Sequence, residues 1–300
     1  MIYTRLLAAA ALMAGVGCAA DTATEPVATG DDALINGALA KGKFPATFFV
    51  LNGCTATRIA PRRFVTAAHC IEGNPSMMSV GTGLWMNGEA VVNRRLTSLE
   101  FGGEIVNIAI DRSRIEACAN GECLDAAAAE GRDTYDVAVV TLDRDIDSRV
   151  ATADVDLLPV DAGTGVSAVG AGCENGVARA DLYDYSRRKL KYGQTSTVPT
   201  QSAFHRGSFM LETWPEGAAA AEPFLLFTLG PSLRNRAFGL CPGDSGGPLY
   251  RGQTNRVVGI NATYTFTDGG NMPATNGFTR LGAPALRPFW SQFSDVRFVR

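Results

Sequence analysis

The stretch GLCPGDSGGPLY, residues 239–250, surrounds one serine with four glycines and two prolines. Glycine opens backbone conformations that other residues avoid, and proline stiffens the chain on either side. The segment therefore reads as a tight turn that presents Ser245 on a fixed frame. Elsewhere the chain offers short runs of Val, Ile, Thr and Phe between turn residues, with frequent Gly and scattered Pro. That pattern predicts low helical content and an all-β barrel or sandwich. A length of 300 residues, 46% of them hydrophobic, suffices for one large domain or two small ones. The net charge is −3 and no long run of one sign occurs. The densest basic run, RRKLK from Arg187 to Lys191, has no interleaved aromatics and reads as a solvated strand or loop edge, so no nucleic-acid partner is expected.

Residues 1–18 read as a signal peptide. MIYTR carries one positive charge, and the apolar LLAAAALMAGV that follows is too short to span a bilayer as a stable helix. GVGC resembles a bacterial lipobox in which Cys18 becomes the lipidated first residue, although Gly15 stands where leucine is usual. Ordinary cleavage near Ala20 is the alternative. Both readings predict export, either anchored to the cell envelope by lipid or secreted. Residues 19–33, small, polar and acidic without apolar periodicity, read as a disordered tether or propeptide.

The seven cysteines are Cys18, Cys54, Cys70, Cys118, Cys123, Cys173 and Cys241. With Cys18 set aside for lipid, an even number remains, suited to disulfides in an oxidising compartment. No C-x-x-C pair occurs and there are only two histidines, His69 and His205, which argues against a zinc site. His205, in SAFHRGSFM, reads as a surface or hydrogen-bonded loop residue, and the acidic DRDID, Asp143 to Asp147, as a solvated turn.

Gly243 to Gly247 also spells G-x-S-x-G, the spacing of a nucleophile elbow in an α/β fold. A serine nucleophile needs an imidazole to take its proton and a carboxylate to orient that imidazole. The α/β order places the histidine after the serine, and none follows Ser245. An order of Asp, His, Ser would have to draw on the acidic stretch near Asp31. The order His, Asp, Ser has a candidate at each step. FVTAAHC ends an apolar run at His69, YDVAVVTL places Asp136 at the mouth of a buried strand, and GDSGGP carries Ser245.

Together these three segments resemble the trypsin/chymotrypsin family of serine endopeptidases, over roughly residues 34–300. The resemblance implies His69 as general base, Asp136 as its orienting partner and Ser245 as nucleophile. The backbone N–H groups of Gly243 and Ser245 would form the oxyanion hole. It implies protein or peptide substrates, no cofactor and no metal, and the chain is expected to be monomeric. Cys54 and Cys70 look like the family's histidine-loop bridge. Cys118 and Cys123 enclose ANGE and are expected to close a local loop, which leaves Cys173 and Cys241 to pair. LING, Leu34 to Gly37, resembles the family's mature N-terminus, so a zymogen cut between Ala33 and Leu34 would free an amine to pair with Asp244. Gly239, six residues before the serine, matches the base of the primary pocket, with Leu240 beside it and no carboxylate to select Lys or Arg. Ala262, Thr263 and Tyr264 stand where the family usually has Ser-Trp-Gly, and Asn276 lies near a glycine position of the pocket wall. The expected preference is a small or medium apolar residue before the scissile bond.

The implied architecture is two six-stranded antiparallel β-barrels, residues 34–150 and 151–300, with His69 and Asp136 from the first and Ser245 from the second. Leu286, Phe289, Trp290 and Phe293 fall at helical spacing and predict a C-terminal amphipathic helix against the barrels. A catalytically silent binding module of the same fold is the alternative reading.

Overall fold

Strand β8, Ala138–Leu142, buries all of its residues rather than alternate ones, as expected where both faces of a sheet are covered. It belongs to an antiparallel sheet of the first half. The computed structural model describes residues 34–50, 54–71, 84–86, 99–101, 104–114, 135–172, 190–199, 225–231, 237–241, 243–266 and 273–300.

The first half contributes β2 (Thr47–Val50), β3 (Thr55–Ala60), β4 (Arg63–Thr66), β5 (Leu84–Met86), β6 (Leu99–Phe101), β7 (Ile105–Ile110) and β8. Their order across the sheet is β6-β5-β2-β3-β4-β8-β7, and every pair is antiparallel. The second half contributes β9 (Asp154–Asp156), β10 (Gly165–Gly170), β11 (Lys191–Val198), β12 (Leu225–Leu229), β13 (Pro248–Arg251), β14 (Arg256–Phe266), β15 (Pro273–Arg280) and β16 (Phe298–Val299). Here β13-β10-β11-β12-β15-β14 closes on itself through β13–β14, forming a six-stranded antiparallel barrel. Closure removes the exposed edges that an open sheet would offer to other chains. Strands β9 and β16 extend the sheet beyond β14 by parallel pairing, and β1 (Ala38–Leu39) pairs with β11. The N-terminal residues thus lie against the second half.

One apolar cluster runs through both halves, from Phe48, Phe64 and Val139 to Tyr250, Ile260 and Trp290. A second fills the closed barrel with Leu34, Val166, Leu226, Phe238, Leu249, Val258 and Phe278. The predicted C-terminal helix is shorter than its periodicity suggested. A 3-10 turn at Pro284–Leu286 runs into a single α-helical turn, α1, Arg287–Trp290. Pro288 sits in its first turn, where proline is tolerated because the N–H is unpaired anyway. The predicted face is nonetheless buried, with Leu286, Phe289, Trp290 and Phe293 no more than 4% exposed. Phe289 packs at 4.9 Å from Trp290 and 5.3 Å from Phe293, and Trp290 Nε1 donates to the Leu281 carbonyl at 2.8 Å. The acidic turn after β8 pairs locally, Asp143 with Arg144 and Asp147 with Arg149.

Candidate active site

His69 lies in the 3-10 turn Ala68–Cys70 that follows β4, and the Cys54–Cys70 disulfide ties this turn to the start of β3. Asp136 stands two residues ahead of β8, which pairs with β4 from Thr66↔Ala138 to Arg63↔Thr141. That register brings the two side chains to the same end of neighbouring strands. His69 Nδ1 is 2.6 Å from Asp136 Oδ2, and the His69 backbone N–H donates to Oδ1 at 3.0 Å. A carboxylate on Nδ1 fixes the tautomer with the proton there, which makes Nε2 the basic nitrogen of the ring.

Asp136 is largely buried and is met from two further directions. Its side chain is 14% exposed, its carbonyl accepts from Thr279 Oγ1 of β15 at 2.9 Å, and Arg114 Nη1 lies 3.4 Å from Oδ1. Burial by itself would raise this carboxyl. The charge and hydrogen bonds of His69, with the charge of Arg114, outweigh it and hold the group below the usual carboxylate range.

The turn carrying Ser245 docks on β3 and β4 through its backbone. Thr55 N–H donates to the Ser245 carbonyl at 2.8 Å, and Thr55 Oγ1 donates to the Gly243 carbonyl at 3.0 Å. Gly246 has φ of +78°, and a Cβ there would overlap Thr66 Oγ1 and the Thr55 carbonyl and come within 3.0 Å of Ala67 N. Ala67 precedes His69 by two residues, so this glycine lets the serine turn close on the strand end that delivers the imidazole. Gly243 has φ of +97°, the left-handed region expected of it. Asp244, Gly246 and Gly247 spend their N–H groups on Cys241, Asn261 and Asp244 carbonyls. Among the described residues, no such internal bond occupies the N–H groups of Gly243 and Ser245. Of the three expected catalytic residues the structure joins His69 and Asp136 directly. Ser245 is half-buried and approaches the pair through its turn, with no hydrogen bond from Oγ among the described residues.

The Asp244 carboxylate is fully buried and accepts from Gly172 N–H at 2.7 Å and Cys241 N–H at 3.0 Å. Leu34 is buried in the barrel cluster with Val166, Phe238 and Leu240. The next residue, Ile35, exchanges two hydrogen bonds of 3.1 Å with Gly239 at the expected pocket base. Asn276, expected in the pocket wall, has no exposed surface. Its Oδ1 accepts from Leu240 N–H at 2.8 Å, and its Nδ2 donates to Phe238 O at 3.1 Å and Thr228 Oγ1 at 3.0 Å. Its side chain therefore fastens the base segment. Across the strand pair, Thr263 faces Gly277 and Tyr264 faces Asn276. Tyr264 is half-buried against the barrel cluster, and burial, reinforced by the charge of Asp244, raises its phenol above the ordinary range. Ala262 is partly exposed beside Asn261, whose Nδ2 holds the Asp244 carbonyl at 2.9 Å.

Cys241 is disulfide-bonded. Its expected partner Cys173 lies outside the described residues, as do Cys18, Cys118, Cys123 and His205. Cys54, His69 and Cys70 bring ligand atoms within 4.8 Å of one another, but sulfurs bonded together offer no thiolate to a metal. Sequence reasoning missed Thr55, Asn261 and Arg114. They act through backbone docking or burial, for which a short motif carries no signal.

No curated protein matches this sequence. Human heparin binding protein has a similar solved structure, with TM-score 0.55 and 17% identity over 86% of this chain and 96% of that one. A singly substituted variant of it gives TM-score 0.54 and 16% identity over 86% and 95%. A doubly substituted variant gives 0.56 and 17% over 87% and 96%. At such identity the likeness speaks for the fold, which is chymotrypsin-like. The trypsin family model, by contrast, matches residues 36–280, most of the sequence, and the chain belongs to that family.

Proposed function

We propose that this protein is an exported serine endopeptidase with a non-tryptic pocket. The observation that supports it is the 2.6 Å contact between His69 Nδ1 and Asp136 Oδ2, beside the strand end on which the Ser245 turn docks. In the proposed reaction Ser245 Oγ attacks the peptide carbonyl while His69 Nε2 takes its proton. The carbonyl oxygen becomes an oxyanion facing the N–H groups of Gly243 and Ser245. His69 then returns the proton to the leaving amine, and water repeats the attack to release the acyl group. Hydrogen bonds of this kind are often long in unliganded enzymes and tighten when substrate binds. Gly239 and Leu240, with no carboxylate beside them, favour an uncharged residue before the scissile bond.

Further parts of the proposal are lipid attachment at Cys18 or secretion, and activation by a cut between Ala33 and Leu34 that frees an amine for Asp244. N-terminal sequencing of active protein tests the cut, which activity with residues 19–33 still attached would refute.

A second reading, a catalytically silent binding module at the cell envelope, draws on the name of the structural neighbours and on the fastened pocket base. A net charge of −3 speaks against a polyanion such as heparin as its partner. Labelling with a serine-directed fluorophosphonate, followed by a peptide-library cleavage screen, separates the readings. The endopeptidase labels at Ser245 and cleaves, and both His69→Ala and Ser245→Ala lower turnover by about a thousandfold or more while leaving a folded protein. A folded wild type that neither labels nor cleaves would refute the endopeptidase reading.

A further inference from the structure

We propose that Arg114 is a positioning residue that sets the charge state of the His69–Asp136 pair, keeping the imidazole a free base at lower pH than the pair alone would. This deepens the endopeptidase reading and rests on it for the kinetic readout only.

Arg114 ends a helical turn, residues 112–114, directly after β7. The turn is closed by Asp111, whose Oδ1 accepts from Ser113 N–H at 3.1 Å and Ser113 Oγ at 2.5 Å, and whose carbonyl accepts from Arg114 N–H at 3.1 Å. The Arg114 side chain has no exposed surface, and Nη1 lies 3.4 Å from Asp136 Oδ1. A guanidinium stays charged under any working condition, and taking one out of water is costly unless it faces an anion. At 3.4 Å the contact is one of charge more than of hydrogen bonding.

Among the described residues, the charged groups acting on this carboxylate are His69, from the turn after β4, and Arg114, from the turn after β7. Strand β15 adds the neutral hydroxyl of Thr279, and the neighbouring Cys54–Cys70 disulfide is uncharged. An aspartate beside an imidazole favours the imidazolium. A buried cation on the other oxygen opposes it, because its charge repels an imidazolium on the far side of the same carboxylate. Arg114 therefore lowers the pH at which His69 becomes protonated and can no longer take the proton of Ser245.

The test uses the full chain with Arg114→Gln, Arg114→Met and the charge-retaining Arg114→Lys. One readout is the rate of fluorophosphonate labelling against pH. The other is the NMR titration of His69, simplified by His205→Gln because the chain has only two histidines. The neutral variants are expected to move both midpoints up by about one pH unit, with the Lys variant close to wild type. Neutral variants that coincide with wild type overturn the proposal. If neither neutral variant folds, Asp136→Asn decides: with the carboxylate neutral the guanidinium is the opposing charge left beside the imidazole among the described residues, so His69 titrating below the ordinary imidazole midpoint of about 6.5 supports the proposal, and titrating at or above it overturns it. If the folded wild type does not react with the fluorophosphonate, the endopeptidase reading fails while the NMR titration still decides the role of Arg114.

Discussion

Replacing Asn276 with alanine tests whether this side chain fastens the segment beneath the candidate pocket. The substitution removes an acceptor from Leu240 N–H at 2.8 Å and donors from Phe238 O at 3.1 Å and Thr228 Oγ1 at 3.0 Å. Phe238 and Leu240 are each 2% exposed, so water cannot simply replace the lost partner. The threonine hydroxyl can rotate to another acceptor, but the two backbone groups cannot. Each orphaned buried group costs about 1–3 kcal/mol, so the expected loss is roughly 3 kcal/mol. For a chain of this size that corresponds to a fall in Tm of about 6–12 °C. Differential scanning calorimetry and urea unfolding read the stability, and peptide cleavage reads the pocket. Gly239 and Leu240 belong to the loosened segment, so KM is expected to rise more than kcat falls. Asn276→Asp keeps the acceptor but turns a second carboxylate oxygen toward Phe238 O, and should also destabilise at neutral pH. A loss below about 1 kcal/mol with unchanged KM would show that the segment holds itself without this side chain.

Gly246→Ala forces a Cβ into Thr66 Oγ1 and the Thr55 carbonyl at positive φ. It is expected to cost upwards of about 2 kcal/mol and to abolish fluorophosphonate labelling; labelling at the wild-type rate would contradict the docking of the serine turn. Breaking the Cys54–Cys70 bridge, which spans 16 residues, with paired serine substitutions should cost about 3 kcal/mol by urea unfolding and slow labelling by loosening His69. The Asp136 carboxyl is depressed in the folded chain, so the unfolded chain binds the proton more readily, and stability from this group is present above the ordinary carboxylate value of about 3.9. That stability falls away as pH drops through the lower folded value, so acid unfolding should be shallower in Asp136→Asn, which unfolding curves between about pH 2 and 5 would show. Tyr250→Phe removes the hydrogen bond of 2.9 Å with Thr47 that crosses between the halves, at about 1 kcal/mol by urea unfolding.

The local elements of this protein were legible in the residues. Runs such as FVTAAHC and YDVAVVTL become β4 and β8 because a row of β-branched and apolar side chains can be satisfied by little else than a buried strand. The positive φ of Gly243 and Gly246 accords with glycine's access to the left-handed region, and the buried face of Leu286, Phe289, Trp290 and Phe293 follows from their spacing. The length of the C-terminal helix did not follow, since tertiary burial of those aromatics is met by a 3-10 turn and a single α-helical turn. Nor did the pairing of β1 with the second half, because a two-residue strand carries no pattern to say which edge it joins. Asn276 read as pocket lining, and that its amide holds Leu240 N–H and Phe238 O depends on which carbonyls and N–H groups surround it. Arg114 gave no signal at all. What a side chain does at its own position can be read from its type and neighbours in sequence; which charge it meets depends on residues brought together only when the strands pair, and that contact decides the electrostatics around His69 and Asp136.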